Sequence, residues 1–170
     1  DKRFFQHEGV DWRRTLFAVQ ELVLGDGSQG GSTITQQVLK NMTGDDRPYV
    51  NRKVREIFRA LEFEENYSKE YILELYLNTI FLGQNCCGVQ TAAQFYFGKD
   101  AKDLSLAESA CIIAITNNPS LYGPMYDVTY TRKDGTKITP RELNKERQEL
   151  ILDTMAKEDV INPKTGLPYI

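Results

Sequence analysis

The apolar residues of the chain recur mostly every three or four positions, which is the spacing of amphipathic helices. This pattern predicts helices over residues 12–24, 32–42, 51–66, 68–82, 89–97, 105–116 and 139–158. One segment differs, because residues 128–138 alternate around Asp134–Gly135 and therefore predict a short β-hairpin. The sequence thus predicts a mainly α protein.

Local signals set the ends of several predicted helices. Ser32 or Thr33 can cap the second helix, which follows a glycine-rich loop predicted at 25–31. Gly83 is expected to end the fourth helix, and Pro119 is expected to close the helix that starts at residue 105. Two capping boxes are expected from their spacing, Ser105 with Glu108 and Thr139 with Glu142.

The composition is that of a soluble globular domain. With 170 residues, 41% hydrophobic and 26% charged, the chain is long enough for one core, and we expect a single domain over 1–170. A net charge of −3 does not favour a nucleic-acid partner. Three cysteines and one histidine, without metal-ligand spacing, exclude a zinc site and a disulfide framework. No stretch reaches the ~18 apolar residues of a membrane span.

The second predicted helix carries polar residues at positions that share one face. These residues are Thr33, Gln36, Gln37 and Lys40. Ile34 and Val38 point elsewhere, as core residues would. A helix N-terminus that follows two glycines and carries hydroxyls and a lysine suits an anion, above all a phosphate. The alternative is a capped surface helix with a solvated polar face, which composition alone favours.

Two further groups of residues have both a chemical and a structural interpretation. Arg52 and Glu56 share a helical face beside Lys53, so Glu56 could be an acid–base group near a charged substrate. The residues alone favour the alternative, an exposed ion pair of Arg52 and Glu56 worth a few tenths of a kcal/mol. His7 could carry a proton, or could be hydrogen-bonded beside a turn at Gly9.

Five motifs occur in order between residues 1 and 124. Asp1, Phe4, His7 and Gly9 match Glu-Asp-x-x-Phe-x-x-His-x-Gly without its first residue. Residues 30–37 with Lys40 and Asn41 match Gly-Gly-Ser-Thr-Ile-Thr-Gln-Gln followed by Lys-Asn, and Arg52, Lys53 and Glu56 match Arg-Lys-x-x-Glu. Residues 72–83 with 92–99, and residues 104–124, resemble the last two motifs. Together they resemble glycosyltransferase family 51, the peptidoglycan glycosyltransferase of class A penicillin-binding proteins and monofunctional transglycosylases.

The resemblance implies a fold and an activity. The fold would be a lysozyme-like helical lobe with a smaller membrane-proximal lobe within residues 42–66. The activity would be polymerisation of lipid II, with inversion at the anomeric carbon and undecaprenyl pyrophosphate as the leaving group. The implied partners are lipid II, the growing glycan strand, the membrane surface and phosphoglycolipid inhibitors of the moenomycin type. The implied location is the extracytoplasmic face of the bacterial plasma membrane.

The resemblance also assigns roles to residues. It implies that Lys40, Arg52 and Lys53 hold the pyrophosphate and that Ser32, Thr33 and Gln36 bind phosphate or sugar oxygens, while Gln37 supports the fold. Asp1, Phe4 and His7 would join the substrate-binding residues. Glu56 would be the second catalytic carboxylate and would position the pyrophosphate or a Mg²⁺ that bridges it.

Some features depart from the family pattern. The general base is the glutamate before the aspartate of the first motif, so we expect it upstream of Asp1, in an anchored protein of which this chain is a piece. Cys87 stands where an aromatic residue is usual, so the turn at 83–88 is expected to pack differently. Residues 126–140 resemble an insertion. The alternatives are a lysozyme-like hydrolase, which would need two suitably spaced carboxyl groups, and a non-catalytic cell-wall scaffold.

Overall fold

A computed structural model describes the chain over residues 1–24, 30–44, 49–158, 160–162 and 165–169. Helices dominate these residues, and the only ladder between named strands in them is one short hairpin. The predicted mainly α fold is therefore confirmed, as is the hairpin near 128–138. Backbone contacts divide the chain into two compact units, Asp1–Ile80 and Phe81–Ile170.

The first unit is built around its second helix. The helices described in this unit are α1 (Trp12–Leu24), α2 (Ile34–Thr43), α3 (Tyr49–Asn66) and α4 (Lys69–Thr79). α2 packs against both α3 and α4. Val38 of α2 and Ile72 of α4 are fully buried and form a core cluster with Phe4. Burying apolar side chains of this size contributes about 1.5–3 kcal/mol each. Because α2 packs against two helices and contributes Val38 to the core cluster, it is the central element of the unit.

The start of α2 is fixed by a capping box. Thr33 is the N-cap in extended conformation, and its side chain accepts a hydrogen bond from the Gln36 amide, while the Gln36 side chain accepts from the Thr33 amide. Of the two expected caps, Ser32 and Thr33, the chain uses Thr33. α2 ends at Gly44, whose φ of +56° is the left-handed conformation common at helix C-termini.

The second unit contains the remaining elements. These are α5 (Val89–Phe97), a short 3₁₀ turn (Ala101–Asp103), α6 (Leu106–Ile115), α7 (Pro119–Tyr122), β1 (Tyr130–Thr131), β2 (Lys137–Ile138) and α8 (Pro140–Lys157). α8 packs against α6 and α7. The buried amide of Asn144 donates to the carbonyls of Cys111 and Tyr122, which ties the three helices together. Both predicted capping boxes, at Ser105 and Thr139, are confirmed.

The expected roles of two residues at helix ends, Gly83 and Pro119, are wrong. α4 ends at Thr79 rather than near Gly83, because Ile80 is extended and Phe81 forms a β-bridge with Cys87. α6 ends at Ile115, so Pro119 does not close it but begins α7. The predicted loop at 25–31 lies outside the described residues at positions 25–29.

Some apolar residues at helical spacing lie on the surface instead of in the core. On α3, Val54 is 49% exposed and Phe58 is 67% exposed. On α1, Trp12 and Leu16 are also more than half exposed. Helical periodicity identifies an apolar face but does not say what covers it. Within the described residues, no helix is both long enough and apolar enough to cross a membrane.

Gly9 is the glycine whose substitution we expect to cost most. Its φ is +81°, and a Cβ there would lie 2.6 Å from the carbonyl carbon of Ala60 and 2.9 Å from the amide nitrogen of Leu61. Gly9→Ala should therefore combine backbone strain with a clash against α3 and lower the free energy of unfolding by about 3 kcal/mol or more. Chemical denaturation measures the loss.

Gly44→Ala is the matched control for that measurement. Gly44 also has a positive φ, but no atom of the described residues lies within 4 Å of its Cβ position. It should therefore cost only the strain, about 1 kcal/mol. Equal losses for the two variants would contradict the close contact at Gly9.

Candidate active site

The amino group of Lys53 joins α2 and α3 through three hydrogen bonds. Its Nζ donates to Ser32 Oγ at 2.7 Å, to Gln36 Oε1 at 3.2 Å and to Glu56 Oε2 at 3.4 Å. The side chain of Glu56 is 12% exposed and that of Lys53 is 22% exposed. Residues from the second and third sequence motifs, 17 to 21 positions apart, therefore meet at one point.

Two more basic residues surround this point. Arg52 Nε lies 3.5 Å from Glu56 Oε1, so the predicted pairing of Arg52 and Glu56 is present and partly buried. Burial is the main cause that lowers the pKa of Lys53, and the positive charges of Lys40 and Arg52 lower it further, against the opposing effect of Glu56. Lys40 lies one helical turn beyond Gln36 on α2. We call Ser32, Gln36, Lys40, Arg52, Lys53 and Glu56 the cationic cluster.

The side-chain amide of Gln36 has a free donor in this cluster. Gln36 is 1% exposed, and its Oε1 accepts from both Lys53 and the Thr33 amide. Because both neighbours of that oxygen are donors, the amide orientation is fixed, and Nε2 must point the other way. Nε2 has no hydrogen-bond partner among the described residues. A buried donor without a partner costs about 1–3 kcal/mol, which an incoming acceptor would offset.

The N-terminus of α2 is not the open anion site that its sequence suggests. The amide of Ile34 donates to Asp1 Oδ2 at 2.9 Å. The amides of Thr33 and Gln36 are used in the capping box. The polar face is also not a solvated one, because Thr33 is buried as well as Gln36. The amides of Thr33, Ile34 and Gln36 are therefore used within the protein, and the role of Lys40, Arg52 and Lys53 in holding an anion stays a prediction.

Of the two glycines before α2, Gly31 serves packing. A Cβ on Gly31 would lie 2.9 Å from the Cβ of Ala18, so Gly31 allows α1 to approach. Gly30 has open space around its Cβ position. The missing side chain of Gly31 thus serves the approach of helix α1 and not that of a ligand.

A second polar group lies on the other side of the first turn of α2. His7 Nε2 is 3.2 Å from both carboxylate oxygens of Asp1, and His7 Nδ1 is 3.4 Å from Lys69 Nζ. Lys69 Nζ pairs with Glu64 Oε2 at 2.5 Å, and Glu64 Oε1 accepts a hydrogen bond from Thr35 Oγ1. We call Asp1, His7, Thr35, Glu64 and Lys69 the buried network.

Sequence reasoning named only part of this network. It singled out Asp1 and His7, and it missed Thr35, Glu64 and Lys69. Glu64 and Lys69 stand among other charged residues of α3 and α4, and nothing in the local sequence marks them. Only the packing of α2 on α3 and α4 brings them to His7.

Phe4 and Thr33 are placed where a substrate would not contact them directly. Phe4 is 3% exposed, belongs to the core cluster and lies under Lys69, whose Nζ is 4.6 Å from its ring centre. The Thr33 hydroxyl donates to the carbonyl of Gly9 at 2.7 Å and accepts from the Gln36 amide. These contacts give both residues a packing role, and the substrate contact that the resemblance implies stays a prediction.

The chain belongs to the transglycosylase family, because the family described as Transglycosylase matches residues 1–156. Among its relatives, penicillin-binding protein 1F of Bacillus subtilis is 38% identical over 169 residues, which cover 98% of this chain and 22% of that protein. Penicillin-binding protein 1A of Neisseria lactamica is 42% identical over 162 residues, covering 95% of this chain and 19% of that protein. The chain thus spans about a fifth of the length of these curated relatives.

The residues around Glu56 do not fit a metal ion held by the protein alone. Both carboxylate oxygens already face cations, Arg52 at 3.5 Å and Lys53 at 3.4 Å. In the described part of the chain, no group of three or more His, Cys, Asp or Glu side chains could hold a metal ion. Mg²⁺ commonly binds through one carboxylate and substrate phosphates, so a Mg²⁺ that bridges a pyrophosphate stays a prediction.

His7 provides a pH test of the buried network. Burial is the main cause that lowers its pKa below 6.5; Lys69 and Arg3 add to this effect, while Glu64 and Asp11 oppose it. The unfolded chain therefore takes up a proton at higher pH than the folded chain does. The free energy of unfolding should be at its full value above about pH 7 and should fall as the pH drops below about 6.5.

The measurement is chemical denaturation between about pH 7.5 and about pH 5 for the unsubstituted chain and for His7→Gln. Subtracting the two profiles removes the contribution of carboxylates such as Asp11, whose pKa is also shifted. The difference should shrink towards low pH. Parallel profiles would show that His7 titrates alike in the folded and unfolded chains.

Proposed function

We propose that this chain is a peptidoglycan glycosyltransferase domain that extends glycan strands from lipid II. The reaction joins a sugar hydroxyl to the anomeric carbon of a second substrate, with inversion, and undecaprenyl pyrophosphate leaves. Membership of the transglycosylase family supports the reaction class. The relatives that support the cell-wall context are penicillin-binding proteins.

The cationic cluster is the observation on which this proposal depends. It places Arg52 and Lys53 against the carboxylate of Glu56, with Lys40 one helical turn beyond Gln36, so its formal net charge is positive and suits a pyrophosphate. The buried Gln36 Nε2 supplies a donor without a partner in the described residues. Positive side chains fixed where negative charge develops on the leaving oxygen lower the barrier to its departure.

Each residue of the cluster has a part in this mechanism. Lys40 and Arg52 hold the pyrophosphate, and Lys53, which is anchored to Ser32 and Gln36, stabilises its developing charge. Glu56 orients Arg52 and Lys53. The proton of the attacking hydroxyl goes to a general base, which the family resemblance assigns to a glutamate just upstream of Asp1.

The exposed apolar residues of α1 and α3 suit a membrane surface. Trp12, Leu16 and Phe58 are each more than half exposed, and α3 carries several basic residues. Amphipathic helices with aromatic and leucine residues on one face and Lys or Arg on another bind at lipid interfaces. Such a contact would bring the cationic cluster to a lipid-linked substrate on the extracytoplasmic face of the membrane.

The same cluster would bind a phosphoglycolipid inhibitor of the moenomycin type, because this class shares a lipid-linked phosphate with lipid II. It gives less support to a hydrolase, since a neutral glycan strand needs no group of three cations. A purely non-catalytic scaffold has no need of a buried unpaired donor. Polymerisation of lipid II by a chain that includes the upstream segment separates these functions, because only a polymerase lengthens glycan strands.

Lys40→Ala is the substitution that tests the role of the cluster. Losing a charge-assisted contact to phosphate costs about 1.5–3 kcal/mol, so polymerisation should slow by about one to two decades. Lys40 is exposed, so folding should be nearly unchanged. Lys145→Ala removes an exposed lysine of the second unit and serves as the control. Unchanged polymerisation by Lys40→Ala would show that Lys40 does not hold the substrate and would favour the interpretation of α2 as a capped structural helix.

Phe58→Ser tests the membrane surface. Removing one large apolar side chain from a lipid contact should weaken binding to phosphatidylglycerol vesicles by about one to two decades, because burying such a side chain contributes about 1.5–3 kcal/mol. Leu150→Ser, at a residue of α8 that is 60% exposed, is the control and should bind as the unsubstituted chain does. Co-sedimentation with the vesicles measures both. Equal losses for the two variants would argue against a membrane contact at α3.

A further inference from the structure

A cavity of about 440 Å³ lies within the second unit, beside the first turns of α8. Part of its lining is apolar and comes from Tyr96 and Phe97 at the end of α5 and from Pro124 and Met125 after α7. The rest comes from α6 and α8 and is polar or charged. We infer that this cavity binds a small amphipathic carboxylate, which packs its apolar part against the aromatic side chains and pairs its carboxylate with Arg141.

The size and lining of the cavity are those of a small-molecule site. Such sites have volumes of about 300–1,000 Å³ and an apolar and aromatic lining with a few polar groups that orient the ligand. The hydroxyl of Tyr96 donates to the carbonyl of Leu82 at 2.8 Å, which fixes the aromatic ring in place. Met125 is 57% exposed, and its flexible thioether can adapt to a ligand. The apolar lining is therefore already formed in the ligand-free chain.

The uncharged polar groups of the cavity are occupied by contacts within the fold. The thiol of Cys111 donates to Asn144 Oδ1 at 3.0 Å, and the Asn144 amide donates to backbone carbonyls. Gln148 Nε2 donates to the carbonyl of Ala107 at 2.6 Å. Burial is the main cause that raises the pKa of Cys111, so its sulfur is a neutral thiol and not a reactive thiolate. A ligand is therefore not bound covalently at Cys111.

Of the charged side chains in the cavity, Arg141 is the one that remains for a ligand. The carboxylate of Glu142 accepts from the amide and the hydroxyl of Thr139, both at 2.8 Å. Lys145 is 74% exposed in its side chain and lies 3.9 Å from Glu149. Arg141 makes no hydrogen bond or ion pair with the part of the chain that the structure describes. A guanidinium group can donate to both oxygens of a carboxylate in parallel, which favours a carboxylate over a neutral ligand.

The cavity lies where the chain departs from the family pattern. Residues 126–140, which resemble an insertion, leave the cavity after Met125 and return to it at Arg141. Their hairpin is held on α8, because Arg132 Nη2 donates to both carboxylate oxygens of Glu146 at 2.6 and 2.5 Å. The site is therefore a feature of this chain that membership of the transglycosylase family does not imply, and the inference does not rest on the proposed function.

The test titrates the unsubstituted chain with indole-3-propionate, which combines an aromatic ring with a carboxylate, and follows the amide NMR shifts. The Kd should be about 1 mM or lower, as expected for a ligand of this size. The largest shifts should occur at Phe97, Cys111 and Met125. Absence of saturable binding would overturn the inference. So would largest shifts at Ile113 and Ile151, which line a separate apolar cavity.

Two further probes separate the contributions of the ring and the charge. Indole-3-propionamide keeps the apolar part without the charge and should bind about tenfold more weakly than the acid. Acetate keeps the carboxylate without the ring and should also bind at least about tenfold more weakly. If the amide binds as tightly as the acid, the cavity takes neutral apolar compounds and the carboxylate assignment is wrong. If acetate does, the apolar lining has no role and the inference also fails.

Substitutions then assign the contacts to residues. Arg141→Gln should raise the Kd of the acid about tenfold and that of the amide less than about twofold, so the amide also reports that the cavity is intact. Lys145→Gln is the matched control on the same helix and should change both values less than about twofold. Met125→Ala should raise both about threefold. An unchanged Kd of the acid in Arg141→Gln, an equal effect of Lys145→Gln, or an unchanged Kd in Met125→Ala would each overturn the inference.

Discussion

The hydroxyl of Thr33 makes two hydrogen bonds on which the rest of the first unit depends. It accepts from the amide of Gln36 inside α2 and donates to the carbonyl of Gly9 in the first segment. Both bonds are buried, so losing either one would leave an unpaired polar group at a cost of about 1–3 kcal/mol. Gly9 in turn lies directly against the backbone of α3 at Ala60. The side chain of Thr33 thus fixes the residues before α1, α2 and α3 relative to one another.

As a result, the residues of the first turn of α2 have two different sets of partners. One side carries Ile34 and Thr35 and is bound to the buried network. The other carries Gln36 and meets Lys53 and the rest of the cationic cluster. The network ties the helix to the residues around it, and under the proposed function the cluster supplies the charge that a lipid-linked pyrophosphate requires. Both depend on the helix starting at Thr33 and not one residue earlier.

Local features of the fold could be predicted from the sequence, and features made by packing could not. The caps at Ser105 and Thr139 and the hairpin at Asp134–Gly135 depend on neighbours within four residues, so their spacing was sufficient. The pairing of Asp1 with Ile34 spans 33 residues and has no local signal. The exposure of Phe58 was equally hidden, because periodicity is the same for a face that meets the core and for one that meets a lipid.

For the candidate site, the family motifs named the residues of the cationic cluster, and the structure shows that Ser32, Gln36, Lys53 and Glu56 are in contact. The motifs do not distinguish residues that contact a ligand from residues that stabilise the fold. Phe4, Thr33 and Lys40 all belong to the family motifs, yet Phe4 is packed in the core and Thr33 caps a helix. Burial and hydrogen-bond use, which only coordinates provide, make that distinction.

The capping of α2 by its own chain has a consequence for how this site can change over time. An anion held by backbone amides keeps its contacts when side chains are substituted, because every residue has an amide. Here the amides of Thr33, Ile34 and Gln36 are already used, and under the proposed function the anion is held by separate side chains such as Lys40. A compound that gains its affinity from an exposed lysine can therefore lose it through a single codon change that leaves the fold intact. A compound that also engages the buried amide of Gln36 ties its affinity to a residue that α2 needs for its own cap.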